Sequence, residues 1–244
     1  KMITDNEFIN NVDGVWVRFF NGGTLEEITT KLTILHLLRK SNIYVHNTAS
    51  SIEKTVDKVR TTGLLSINKI KSPETVVYFK SKKKKPTLKK NSKYLIKPIF
   101  GSQGKNILMI NNSEELKNIS PVGGVFYLQK FIDSDSSNYS DIRVLVSNHN
   151  VVSCIERSSK HFLTNVYQGA NFKKIKINSK IEELSKKVSK IFNLGYGGID
   201  LKIYKNKTYV LEVNSIPSWR AVQKIEKKNI ADILVKDFIK QLKK

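Results

Sequence analysis

The 244-residue chain has one cysteine, Cys154. A single thiol allows no internal disulfide, which excludes the disulfide-stapled secreted domains and agrees with a reducing cytoplasm. Cys154 stands in an apolar run and reads as a small buried hydrophobe, not a nucleophile. No stretch of about 20 apolar residues occurs, so a membrane-spanning helix is excluded. The start, Lys1-Met2-Ile3-Thr4-Asp5, leads into a polar run and lacks the apolar segment of a secretion signal; a lysine ahead of the first methionine reads as the start of a fragment. Acidic residues are scarce, 21 Asp and Glu against 43 Lys and Arg, for a formal net charge of +22. No convincing Ser–His–Asp or Cys–His set is present. What remains is globular: 39% hydrophobic and 26% charged residues leave room for a sizeable core and argue against disorder.

The positive charge is densest from Lys80 to Lys93. It admits an electrostatic reading, with nucleic acid, an acidic membrane surface or polyanionic substrates as partners. It also admits a bland one, a lysine-biased composition on a solvated surface, which the wealth of Asn and Ile supports. Lys82-Lys83-Lys84-Lys85-Pro86 carries no interleaved aromatics and reads as a loop between two strands. Nucleic-acid binding through it is the minor alternative, and a membrane partner is not expected.

The richest segment is near the C-terminus. Gly198-Ile199-Asp200-Leu201 and Val210-Leu211-Glu212-Val213-Asn214 read as two strands around a turn at Lys205-Asn206-Lys207. Side chains alternate along a strand, so Glu212 and Asn214 share a face. Asp200 joins them if the strands pair. Three hard oxygen ligands on one face suit Mg²⁺ or Mn²⁺. The bland alternative is the wet face of an ordinary hairpin.

A second segment has the layout of a flap over phosphates. Tyr94-Leu95-Ile96-Lys97 reads as a strand ending in a lysine, followed by Gly101-Ser102-Gln103-Gly104-Lys105 and a second apolar run from Asn106 to Ile110. Glycines let backbone N–H groups approach phosphate oxygens, and Lys97 adds a point charge. The spacing is not that of a P-loop, and no helix follows it.

Together these segments resemble the ATP-grasp superfamily, specifically the RimK-like α-L-glutamate ligases, from about Ile43 to the C-terminus. Ser51 to Lys58 is similar to the lysine-bearing helix that opens the ATP-grasp region. Val125 to Ile132 resembles the hinge strand that holds adenine, Ser140 to Val146 the next strand with its Asp-Ile-Arg, and Cys154 to Arg157 with Thr164-Asn165 the family's Arg and Ser-Asn segments. The resemblance implies an α/β ATP-grasp fold whose two lobes sandwich ATP, preceded by a shortened pre-ATP-grasp unit. The expected divisions are 1–58, 59–131 for the small lobe with the flap, and 132–244 for the large lobe with the metal site. It further implies that Lys58, Lys97 and the flap residues Gly101, Ser102, Gln103 and Gly104 contact ATP phosphates. Gln129, Lys130 and Phe131 would border adenine, and Asp141 would sit near the ribose. Arg157 would stabilise the transferring phosphoryl group, Thr164 and Asn165 would position the nucleotide, and Asp200, Glu212 and Asn214 would hold two Mg²⁺ ions. Plain alternatives are a surface salt bridge for Arg157 and a strand-end cap for Asp141.

Two departures from the family pattern stand out. Lys130 occupies a hinge position where an acidic residue usually accepts hydrogen bonds from ribose, which an ammonium cannot do; Asp133 is the substitute nearby. Leu163 replaces the arginine ahead of the Ser-Asn pair, with Lys160 or His161 as possible compensation. Farther along, Trp219 and Arg220 read as a border of the acceptor site, recognising a flat acidic molecule by stacking and charge, with plain core as the alternative for Trp219. The Trp-x-x-x-Gln ending there is similar to RimK-like ligases near one-carbon cofactor pathways, which implies a pterin-type acceptor.

The N-terminal part reads as a remnant α/β unit. Gly14 to Phe20 forms a strand, Thr24 with Glu27 a capping box, Leu25 to Leu38 a helix, Ile43 to Asn47 a parallel strand, and Ser51 to Leu65 another helix capped by Ser50 or Ser51. A helix is expected near Ser113 to Ile119. Another spans Lys180 to Asn193, closed by the glycines of Gly195-Tyr196-Gly197-Gly198, and a last one Ile230 to Leu242.

Activating a carboxylate as an acyl phosphate and displacing phosphate with an amine calls for cations and metals more than for a protein nucleophile. The leading expectation is therefore an ATP-dependent carboxylate–amine ligase that adds glutamate to a small acceptor. The alternatives are a ligase acting on a protein C-terminus and a non-catalytic basic nucleic-acid-binding relative. Assembly into a homo-oligomer stays open.

Overall fold

The computed structural model describes residues 2–4, 7–9, 12–81, 86–101, 103–132 and 138–243, the first two stretches as backbone only. Ser102, Asp133 and Lys82 to Lys85 therefore lie outside the described residues.

The chain opens with a short antiparallel pair, β1 (Met2–Thr4) and β2 (Glu7–Ile9). A parallel pair follows, β3 (Gly14–Trp16) and β4 (Tyr44–His46), joined through α1 (Leu25–Lys40). The capping box is present: Thr24 accepts from the Glu27 amide, and Glu27 accepts from the Thr24 amide. The strand expected to reach Phe20 stops at Trp16.

The single helix expected from Ser51 to Leu65 is two, α2 (Ala49–Val56) and α3 (Lys58–Ile67). Asp57 separates them. Its backbone is extended, and its carboxylate accepts from the amides of Val59 and Arg60, so it starts a second helix where neither glycine nor proline signals a break. The α2 cap is Thr48, not a serine. Lys58 thereby becomes the first residue of α3.

Four antiparallel strands, β5 (Thr75–Phe79), β6 (Tyr94–Lys97), β7 (Leu108–Ile110) and β8 (Val125–Lys130), form a sheet in the order β5-β8-β6-β7. Its core gathers Leu88, Tyr94, Ile96, Ile110, Leu116, Phe126 and Leu128. The helix expected near Ser113 is a five-residue 3-10 turn, Glu114–Asn118.

A second antiparallel sheet has the order β11-β10-β9-β12-β13, from β9 (Tyr139–Ser147), β10 (Asn150–Ser159), β11 (Asn171–Lys174), β12 (Tyr196–Tyr204) and β13 (Lys207–Asn214). Two of its hairpins turn on two residues with positive φ, Asn148-His149 and Lys205-Asn206, which matches the right-handed twist of the strands. One face packs on α4 (Ser179–Phe192) through Val144, Val146, Cys154, Val188, Phe192, Ile199, Leu201 and Val213. The cap of α4 is Asn193 in the left-handed conformation, not the glycines, of which Gly197 and Gly198 belong to β12. On the opposite face, Leu145, Ile155 and Tyr196 meet α5 (Arg220–Ile225) and α6 (Ile230–Leu242) at one end. The other end of that face is charged.

Candidate active site

The charged end is built by register. Arg143 of β9 pairs with Asp200 of β12, which pairs with Glu212 of β13; Asp141 of β9 pairs with Arg157 of β10. Directly paired residues share a face, so Asp141, Arg143, Arg157, Asp200 and Glu212 project to one side. Gly198 pairs with Asn214, which puts Asn214 on that side too. A bulge after Asp200 then shifts the register, so that Leu201 meets Val210 and both turn into the core.

Asp200 is 4% exposed and doubly held. Arg143 donates from Nε to Oδ1 at 2.7 Å and from Nη2 to Oδ2 at 2.6 Å, and Arg157 Nη2 stands 3.0 Å from Oδ2. Burial alone would raise the Asp200 carboxyl, but the two guanidiniums outweigh it and hold it at about 2. Arg157 is 3% exposed and grips Asp141 in a bidentate pair, Nε to Oδ1 at 2.6 Å and Nη2 to Oδ2 at 2.5 Å. Arg157 is thus no surface salt bridge, and Asp141 is no strand-end cap. Asp141 also accepts from the Thr164 hydroxyl at 2.7 Å. Burial pushes its carboxyl up, against the opposing pull of Arg157.

Lys58 approaches from the first turn of α3, and Lys97 from the end of β6 in the other sheet. Lys58 Nζ donates to the Gly101 carbonyl at 3.0 Å and lies 3.7 Å from Glu212 Oε1. Lys97 Nζ donates to Gln129 Oε1 at 2.7 Å. Burial lowers the Lys97 ammonium to about 8, with Glu212 pulling the other way. Lys58, Lys97, Tyr127 and Glu212 line one narrow cavity. Gln129, expected beside adenine, is 2% exposed and bonded to Tyr127, Thr75 and Lys97. Phe131 instead meets an aromatic pair that the sequence did not flag, Tyr139 at 5.8 Å and Phe162 at 6.3 Å between ring centroids. Lys130 ends β8, its amide bonded to the Glu74 carbonyl.

The flap touches the second sheet's loop. The Gln103 carbonyl accepts from Asn165 Nδ2 at 2.6 Å and from Gln168 Nε2 at 3.1 Å. Gly104 has φ +71, and a Cβ there would stand 3.0 Å from Gln168 Nε2, so this approach favours glycine. Gln168 carries no sequence signal of its own; it is found only because it shares a carbonyl with Asn165. Arg143 was visible in the Asp-Ile-Arg strand, two residues after Asp141 and hence on its face, but its partner lies 57 positions away.

Asp200, Glu212 and Asn214 bring carboxylate and amide oxygens to one face, the hard donors that a divalent ion takes. The Asn214 amide nitrogen is buried without a hydrogen-bond partner; as a donor it does not ligate a cation, so only the amide oxygen can join such a set.

Residues 55–238 match the RimK-like ATP-grasp domain. A tetrahydromethanopterin:alpha-L-glutamate ligase of Methanococcus maripaludis is 26% identical over 100% of this chain and 84% of its own length. The coenzyme gamma-F420-2:alpha-L-glutamate ligase of Methanocaldococcus jannaschii is 31% identical over 78% of this chain and 69% of its own. Among solved structures, the ATP-grasp ligase PsnB, complexed with a precursor peptide and AMPPNP, superposes with a TM-score of 0.64 at 16% identity, over 90% of this chain and 70% of that one. The domain match spans most of the chain, and the paired sheets reproduce the fold: the protein belongs to the RimK-like ATP-grasp family and is an ADP-forming carbon–nitrogen ligase.

Proposed function

We propose that the protein adds L-glutamate to a pterin-type or related cofactor, activating the acceptor's carboxylate with ATP. The observation that carries this reading is the convergence of Lys58 from the start of α3 and Lys97 from β6 on Glu212, beside Asp200 and Asn214 on the second sheet. The two relatives named above act on tetrahydromethanopterin and coenzyme F420, both with glutamate.

In the proposed reaction a carboxylate oxygen of the acceptor attacks the ATP γ-phosphorus, and ADP leaves. The glutamate nitrogen then attacks the acyl carbon, phosphate departs and the amine loses a proton. Lys58, Lys97 and the backbone of the flap neutralise and orient the phosphates. Arg143 offers positive charge at the same face, and Arg157 fixes Asp141 and Asp200 in place. Two Mg²⁺ ions held by Asp200, Glu212 and Asn214 would neutralise phosphate charge. Phe131, Tyr139 and Phe162 supply flat surfaces for adenine.

The test is ADP formation from Mg-ATP with glutamate and either tetrahydromethanopterin or coenzyme F420 carrying two glutamates. ADP release that requires both partners and disappears in Asp200→Ala and Glu212→Ala is expected. Turnover that ignores glutamate, or survives both substitutions, overturns the assignment.

A further inference from the structure

Arg18 lies outside every expectation drawn from the sequence. It follows β3 in the N-terminal unit and is exposed, yet its guanidinium is held in one place. Its Cζ stands 3.7 Å from the ring centroid of Trp219, 5.1 Å from Trp16 and 5.7 Å from Tyr196. Its Nη1 donates to the Tyr196 hydroxyl at 3.0 Å. Tyr196 is itself fixed, fully buried, stacked on His46 with centroids 5.7 Å apart and bonded from its hydroxyl to the Val17 carbonyl. Trp16 and Trp219 stack on each other, 15° from parallel. Among the described residues no carboxylate pairs with Arg18.

A guanidinium clamped on aromatic rings, on an exposed residue with no carboxylate partner among the described residues, is a preorganised anion receptor. Its place is defined by β12, where Tyr196, Gly198 and Asp200 alternate on one face. Four residues of strand separate Tyr196 from Asp200 by about 13 Å. Gly198 stands between them on that face and lies under Pro217, since a Cβ there would come within 3.1 Å of the Pro217 side chain, so a molecule joining the two ends passes over Pro217. A molecule reaching from the phosphoryl-transfer end to Arg18 is longer than one glutamate. Phe19, 78% exposed beside Arg18, adds apolar surface there.

We infer that Arg18 is a specificity-determining residue that binds a second, distal anionic group of the acceptor, a carboxylate or phosphate, while the carboxylate to be activated lies near Asp200. This rests on the ligase reading above but is separable from it. Trp16 and Trp219 are the chain's two tryptophans, so tryptophan fluorescence reports on this position without turnover. The experiment titrates γ-glutamyl-glutamate, a transparent polycarboxylate, into wild type, Arg18→Gln and Arg18→Lys, with AMPPNP binding by calorimetry as the check on fold. Saturable quenching in wild type is expected, with the midpoint raised at least tenfold in Arg18→Gln and less in Arg18→Lys, while AMPPNP affinity stays unchanged. In acceptor-dependent turnover the same substitution should raise the acceptor KM and leave the KM of ATP and glutamate alone. No saturable quench in wild type, or equal midpoints in wild type and Arg18→Gln, overturns the inference. Absence of acceptor-dependent ADP formation in wild type, with quenching that still depends on Arg18, would instead overturn only the ligase reading.

Discussion

Arg143 engages both carboxylate oxygens of Asp200 across the β9–β12 ladder, at 2.7 and 2.6 Å. Asp200 is therefore the shared counter-charge of Arg143 and Arg157, and in the proposed reaction it is also a ligand for a divalent ion. Asp200→Asn removes the negative charge but keeps the shape, leaving Arg157 nearly buried with one partner. Stability should fall by about 3–5 kcal/mol, the usual cost of breaking a buried pair from one side. Chemical denaturation measures that loss, and Mn²⁺ titration of the nucleotide complex should show a midpoint raised at least tenfold. An unchanged midpoint would remove Asp200 from the metal set.

Lys97 gives a pH dependence of defined sign. Burial lowers its ammonium to about 8, so the charged form dominates below that pH and is lost above it. Phosphates bind the charged form better, hence AMPPNP affinity should weaken as pH rises through about 8, by up to tenfold per unit while the free lysine is neutral and the bound one is not. Lys97→Arg, charged throughout, should abolish the slope. Calorimetry between pH 6.5 and 9.5 decides it, and a flat wild-type profile would count against a phosphate contact by Lys97.

The flap should loosen in steps. Gln168→Ala removes one of two donors to the Gln103 carbonyl, and the KM of ATP should rise about three- to tenfold with little change in kcat. Gly104→Ala should cost more, since its φ of +71 disfavours a side chain by about 1–2 kcal/mol and its Cβ would press on Gln168. Hydrogen exchange at residues 103–106 should speed up in the same order. Equal exchange in wild type and both variants would show that the clasp does not order the flap.

Cys154 should be chemically silent. It is 4% exposed, and burial pushes its thiol up to about 11, so little thiolate exists at pH 8. An aromatic disulfide reagent should label it only after unfolding, and Cys154→Ala should retain turnover while losing some stability through the cavity. Rapid labelling of the folded protein would contradict its placement in the core.

Much of this site is legible from strand periodicity alone. Glu212 and Asn214 share a face because they are two residues apart, and the capping box at Thr24 and Glu27 is equally local. What stays illegible is non-local or lacks a marker. Nothing near Arg143 says that its partner is Asp200. Asp57 breaks a helix by capping the next one, with a residue type that also occurs inside helices. Asn193 takes the left-handed cap that glycine usually fills, so a reading led by glycines ends α4 within one residue but names the wrong cap. Phe162 joins Phe131 only after β9 and β10 fold back on each other.

Asn47 carries a consequence for how the protein can be divided. It ends the parallel strand pair, buried and at positive φ, and its side chain donates to the carbonyls of Tyr196 and Ser215 while accepting from the Gly195 amide. Those three positions are the entrance and exit of the β12–β13 hairpin. The spacing of Asp200, Glu212 and Asn214 is thus clamped by a residue about 150 positions upstream of the hairpin. A recombinant piece beginning beyond Asn47 would keep Asp200, Glu212 and Asn214 and lose the clamp, so the small N-terminal unit is a structural part of the β12–β13 hairpin and not a detachable accessory.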